Sequence, residues 1–344
     1  AGSTCNGLIS IREVFMKTYT DVVPGNDRGL SNSTVRSLYR QSPDSIWIGT
    51  DGGGINLFNP RTEKFTHYLS TWNDKIAFIS GFTPGKLLIS LFSKGVFVFN
   101  PATGEKQPFT IVDKETTTQL CNRGKSVNLY QNTPNTVLLL GDHVYQYHLK
   151  EKKFDKVTGE EGKSIVGTLV PFKHENNRTY INDFKHIYEL HDGDSLLKTT
   201  FECYQDTVIS SASHDEHGDF WIGSNFGLIH YNPVSQKQTH IPTNLFTEVN
   251  MVQCDQRGKV WIGADNLLFA WLIQEQKFVL FGESNGAIQN EYLPNARLVN
   301  NEGDVYIGGV KGMLRIDGQL LLNTSEMPEL QLLDIIINGE SAQN

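Results

Sequence analysis

The feature that most restricts this 344-residue chain is a unit of about 40 residues that returns seven times. Its clearest copy is SIWIGTDGGGINLFNPRTEKFTHY, Ser45 to Tyr68. Read in twos, it gives one strand at Ile46, Trp47 and Ile48, a second at Ile55 to Phe58 and a third at Phe65 to Tyr68. Gly52, Gly53 and Gly54 form the first turn and Asn59-Pro60 the second, while an apolar strand just upstream, Thr34 to Tyr39, makes four. The Trp47 position recurs as Leu88, Leu138, Tyr180, Trp221, Trp261 and Tyr306, at intervals of 41, 50, 42, 41, 40 and 45 residues.

Each copy keeps the same inner order. A first strand precedes the anchor, as VRSLY, IAFIS, SVNLY, VGTLVPF, VISSASH, VNMVQCD and NARLVN. A tight turn follows in several copies (Asp215 to Gly218, Asp255 to Gly258, Asn300 to Gly303), then the anchor strand, a third strand and an outer strand. No stretch holds helical periodicity over three turns. A four-stranded antiparallel sheet of this size has two faces to bury, and radial stacking buries both. The expected fold is therefore all-β, a seven-bladed β-propeller with its anchors between neighbouring blades. The seventh copy ends near Asp317 after three strands, and EVFMKTY (Glu13 to Tyr19) resembles the outer strand EKFTHY. That N-terminal segment is expected to complete the last blade and close a propeller spanning residues 1–317. GLISI (Gly7 to Ile11) matches a third strand, which suggests a further blade upstream in a longer protein. Residues 318–344 change character, and Met327 to Gly339 alternates like the opening strand of another β module.

Composition narrows the classes of partner. A net charge of −8 opposes binding to a nucleic-acid backbone, and no apolar run reaches the ~20 residues of a membrane span. AGSTCNGL lacks the regions of a signal peptide, so the chain reads as mature, cytosolic or cut from something longer. Cys5, Cys121, Cys203 and Cys254 lie far apart without a C-x-x-C, which gives no support to a zinc or thioredoxin-like reading. Free, hydrophobe-like cysteines are preferred over a disulfide, a choice that sequence leaves open.

LSNSTVRSLYR (Leu30 to Arg40), running into IWIGTDGGGINLFNP, resembles the two-component regulator propeller. WIG returns at Trp221 and Trp261, and the segment Asn285 to Asp317 is similar to that family's final blade. The likeness is strong in copies one, five, six and seven and weak in copies two to four, which lack WIG. The resemblance implies the periplasmic sensor portion of a bacterial hybrid two-component system: a second propeller and the start of an immunoglobulin-like module, with another propeller upstream and a kinase beyond a membrane helix. It also implies detection of an oligosaccharide or other small-molecule signal.

Catalytic motifs are scarce. Asp215, Gly218 and Trp221 resemble the Asp-box of sialidases, a structural hairpin. Gly52-Gly53-Gly54 lacks the spacing of a phosphate loop. His214 and His217 point to opposite faces in an extended strand, and no metal, cofactor or catalytic set is expected. A ligand is expected on the face shared by the loops that enter the first strands and those joining the second and third strands. Arg36, Asp51, Trp72, Asn73, Asn225, Phe226, Asp265, Asn266, Asn290 and Tyr292 fall there, and rings with amides and carboxylates suit sugar recognition.

The reading is a non-catalytic periplasmic sensor that passes a carbohydrate-derived signal to a C-terminal module, with a homodimer through that module left open. A propeller enzyme of lyase or lactonase type and a protein-interaction platform are its rivals. Fold alone does not rank them.

Overall fold

The computed structural model describes residues 15–21, 26–70, 73–92, 94–109, 127–141, 143–162, 165, 170–175 (of side chains there, only Phe172), 178–191, 193–204, 206–255 and 257–319, with two-residue strands at 2–3, 7–8, 336–337 and 340–341. Repeat one forms Val35–Ser42, Ser45–Thr50, Ile55–Asn59 and Lys64–Tyr68, paired in chain order as an antiparallel sheet. Repeat two (Ile76–Gly81 to Glu105–Pro108), repeat five (Ile209–His214 to Lys237–Ile241) and repeat six (Met251–Cys254 to Lys277–Phe281) do the same. Repeats three and four share one eight-stranded sheet. Their outer strands, Lys153–Gly159 and Leu196–Glu202, meet in parallel through Thr158 opposite Leu196 and Gly159 opposite Leu197.

The last sheet takes strands from both ends of the described chain. Tyr292–Val299, Val305–Gly309 and Gly312–Ile316 come from repeat seven, and Met16–Tyr19 supplies the fourth. Met16 lies opposite Ile316 and Tyr19 opposite Met313, and Asp317 N–H donates to the Phe15 carbonyl at 2.7 Å. Gly7–Leu8 pairs with Gly2–Ser3, and Ile336–Ile337 with Glu340–Ser341. The rest of GLISI and most of the segment from Met327 to Gly339 lie outside the described residues.

Side-chain alternation explains how the sheets stack. In Ser45–Thr50, Ile46 and Ile48 pack with Tyr306, Ala296 and Met313 of repeat seven. Trp47, between them, packs with Ile76, Ile79 and Leu87 of repeat two. One strand thus feeds two neighbours, as a period of two requires. Every anchor behaves like Trp47. Leu88 meets repeat three, Leu138 repeat four, Tyr180 repeat five, Trp221 repeat six, Trp261 repeat seven and Tyr306 repeat one. The first strands also touch one another in sequence, and that of repeat seven touches that of repeat one, which closes the circuit. This is a β-propeller arrangement.

The glycine of WIG has a packing cause. A Cβ at Gly49, Gly223, Gly263 or Gly308 would lie 2.6, 2.6, 2.8 or 2.5 Å from Ile76, Val249, Tyr292 or Val35, each on the approach to or in the next repeat's first strand. In repeats two to four, Ser90, Leu140 and Asn182 occupy the equivalent place.

The Asp turns act as hairpin caps. Asp215 Oδ1 accepts the N–H groups of His217 and Asp219, and its Oδ2 accepts the Trp221 indole N–H at 2.8 Å. Asp255 repeats the pattern with Arg257, Lys259 and Trp261. Cys203 and Cys254 are buried and free. Among the described residues no helix is long and apolar enough to cross a membrane.

Candidate functional site

The loop face expected from sequence divides into groups reachable from solvent and groups engaged by the fold. Arg36 donates through Nε and Nη2 to Asp51 Oδ2 at 2.9 and 2.5 Å, and Lys75 Nζ lies 3.3 Å from the same oxygen. Asn73 and Asp265 are exposed, and Phe226 is 59% exposed. Asn225 accepts from Val208 N–H at 2.8 Å and donates to the Asp206 carbonyl, so its amide pins the loop into repeat five. Asp265 and Asn266 form the hairpin tip with positive φ of 50° and 61°. The Asn266 carbonyl accepts the Asn290 N–H at 2.8 Å.

Asn290 is buried, with its Oδ1 accepting from Lys311 N–H and its Nδ2 donating to the Gly312 carbonyl. Tyr292 is also buried, and its hydroxyl donates to the Ile288 carbonyl at 3.2 Å. Burial raises the pKa of that hydroxyl above its ordinary value. Trp72 lies outside the described residues. Of the ten, the side chains of Arg36 and Asp51 are brought together directly.

A second region is concave. A cavity of about 660 Å³ is lined by first-strand residues and turns from all seven repeats, and none of the nine described loop-face residues lines it. It begins in the middle of the first strands, at Ser37, Phe78, Leu129 and Ser213, and extends to the Asp215 and Asp255 turns. It therefore favours the end of the sheets opposite the loops that enter them. The rings of Tyr39, Phe78, Tyr130 and Phe172 line it beside polar groups. Such a volume and mixture match small-molecule sites in general.

Hydrogen bonds cross this space. Tyr39 Oη donates to Gln131 Oε1 at 3.0 Å, which links repeats one and three. Gln253 Nε2 donates to the Cys254 carbonyl at 2.9 Å, and Ser213 Oγ accepts the Cys254 N–H at 2.9 Å. Burial pushes the hydroxyl pKa of Tyr39 and of Tyr130 upward, so both stay protonated donors at neutral pH. Ser37, Ser80 and Asn295 belong to the cavity wall, and among the described residues Ser37 Oγ, Ser80 Oγ and Asn295 Oδ1 have no hydrogen-bond partner.

These residues lie outside the loop face expected from the sequence. The signal available was polarity at inner-strand positions: Ser37 and Tyr39, Ser80, Gln131, Ser213, Gln253, Asn295 and Arg297 stand where a strand packed on both faces would be apolar. Among the described residues no group of three or more His, Cys, Asp and Glu is placed to hold a metal.

No known family model matches the chain, and no curated protein matches it by sequence. Among solved structures it is similar to the extracellular domain named for the hybrid two-component system BT3049 of B. thetaiotaomicron, at TM-score 0.71 and 16% identity. That match covers 96% of this chain and 46% of the other. A second, the extracellular domain named for the hybrid two-component system BT4673 of the same organism, matches at TM-score 0.65 and 15% identity, over 88% of this chain and 39% of the other. Virginiamycin B lyase from Staphylococcus aureus matches at TM-score 0.62 and 10% identity, over 87% of this chain and 97% of the enzyme. The chain thus spans less than half the length of the two extracellular domains. At these identities the likeness establishes a shared fold, carried alike by sensor domains and by a lyase.

Proposed function

We propose that this chain is a non-catalytic, seven-bladed sensor module that works outside the cytoplasm, in the periplasm, and binds a small carbohydrate-derived signal. The count of seven takes the eight-stranded sheet as two blades joined at their outer edges. The cavity at the centre of the sheets is the observation that carries the reading: strands from every repeat line it, with rings to stack on a sugar and unpartnered polar groups for its hydroxyls. Its walls belong to every sheet, so a ligand bound there is sensed by all of them. The resemblance to extracellular domains of two-component systems ranks sensing above turnover.

On the loop face, Arg36, Asp51, Asn73, Phe226 and Asp265 form a second surface for the same signal or for the adjoining modules of a longer protein, with Trp72 beside them in sequence. The C-terminal residues from 318 onward would carry the change to a following β module and, through it, to a kinase.

Titration calorimetry of the chain with a panel of oligosaccharides tests the reading. A saturable, one-site ligand that is recovered unchanged is the expected result. Recovery of a cleaved or eliminated sugar would instead assign an enzyme, in line with the lyase that shares the fold.

A further inference from the structure

One charge in the cavity wall is unanswered. Arg297 of repeat seven is half-buried, and its guanidinium reaches across to the first strands of repeats five and six. There Nη1 donates to the Val252 carbonyl and Nη2 to the Ala212 carbonyl at 2.5 Å. These two bonds leave three of its five N–H donors without an acceptor among the described residues. Among the described residues no carboxylate pairs with it. The neighbour whose charge acts on it is the Cys254 thiol, which burial pushes up and so keeps neutral at pH 7. Burial lowers the guanidinium itself to about 10, still well above neutral pH, so the cation persists.

The buried carboxylates of the cavity and Arg40 are answered. Asp215 and Asp255 hold backbone N–H groups and an indole N–H apiece. Glu216 lies 3.6 Å from His217, and Arg40 lies 3.5 Å from Glu302. Ser37 and Ser80 belong to the same wall, and among the described residues their hydroxyls have no partner. A desolvated cation without a counter-charge, beside unmade hydrogen bonds, costs folding free energy unless something supplies the missing partner.

From this we infer that the ligand of the central cavity carries an anionic group, held by Arg297 and the Ser37 and Ser80 hydroxyls. The inference rests on the sensor reading and narrows its signal to acidic sugars. Carboxylate and sulfate share the needed chemistry, since both present oxygens to a guanidinium.

The test is calorimetry at fixed ionic strength with three matched disaccharides: one bearing a uronate, one bearing a sulfate, and their neutral parent. One acidic form is expected to bind at least about tenfold tighter than the parent, as a charge-assisted bond requires. Which one does so identifies the anion. Arg297→Gln should erase that preference.

Should Arg297→Gln fail to fold, because it also ties repeats five and six, Ser37→Ala and Ser80→Ala serve in its place. Neither removes a hydrogen bond of the fold that involves the unpartnered atom. Each should weaken the acidic ligand by about fivefold with an unmoved melt. Equal affinity for acidic and neutral forms would overturn the inference while the sensor reading stands. Absence of binding by all three would remove both. Acidic binding untouched by Ser37→Ala and Ser80→Ala would place the anion elsewhere and overturn the site.

Discussion

Tyr39 Oη and Gln131 Oε1, 92 residues apart, hydrogen-bond at 3.0 Å directly over Gly81. The bond spans repeat two, joining the first strands on either side of it. A Cβ at Gly81 would lie 2.1 Å from the glutamine oxygen and 2.2 Å from the tyrosine oxygen. Both atoms end flexible side chains, so Gly81→Ala should fold but part the pair. The expected loss is about 1 kcal/mol, read by urea titration, together with weaker binding in the cavity. A variant with unchanged stability would show that the bridge contributes nothing net.

The Asp215 turn separates two contributions of Trp221. Trp221→Ala should cost about 3–5 kcal/mol, because the ring is buried between repeats five and six. Trp221→Phe keeps most of that contact but leaves Asp215 Oδ2 without its indole donor, for about 1–3 kcal/mol. Denaturant unfolding should therefore rank Ala well below Phe and Phe below wild type. Equal values for Phe and wild type would make the carboxylate–indole bond dispensable.

These hairpins show why the fold was legible in the sequence and the central cavity was not. Turn chemistry, two-residue alternation and the anchor rhythm are local, so the strands around Trp47, Trp221 and Trp261 could be read from neighbouring residues. The pairing of Met16–Tyr19 with Gly312–Ile316 was legible too, because the outer strand it replaces has a recognisable sequence. Which end of the sheets opens into a cavity depends on how strands from separate repeats converge, and nothing near Arg297 in sequence announces Val252 or Ala212. Asn290 and Tyr292 look like binding residues in a loop, yet the fold has already engaged their polar atoms.

Acid should loosen the seam between repeats seven and one. Glu63 accepts from Lys17 Nζ at 2.5 Å and from the Tyr19 hydroxyl at 2.9 Å, both on the closing strand. Chiefly through the Lys17 hydrogen bond, and against the effect of partial burial, its carboxyl is held below its ordinary value of 4.5. A lowered carboxylate pKa stabilises the fold above that ordinary value, and the contribution fades as pH falls through the depressed one. Melts of wild type and Glu63→Gln should differ at pH 7 and converge as the pH falls from 4.5 through the depressed value. A gap that stays constant over that range would remove Glu63 from the seam.

Removing residues 1–20 should expose the edge of Gly312–Ile316, whose partner is then missing. Light scattering and gel filtration should show association that the intact chain lacks. The milder variant Gly308→Ala presses on Val35 across the same seam, where a Cβ would lie 2.5 Å from Cγ1. It should lower the melt without exposing an edge. A truncated chain that stays monomeric with the original melt would mean that Met16–Tyr19 is dispensable.

Because Met16 pairs with Ile316, the polypeptide makes its latch about 300 residues before the catch. At ordinary rates of translation the opening segment leaves the ribosome about 15 to 60 s before its mate exists. Throughout that interval the nascent chain carries a sticky, unmatched ribbon. Premature release or a stalled ribosome would therefore yield an unsealed and adhesive fragment rather than a smaller working version.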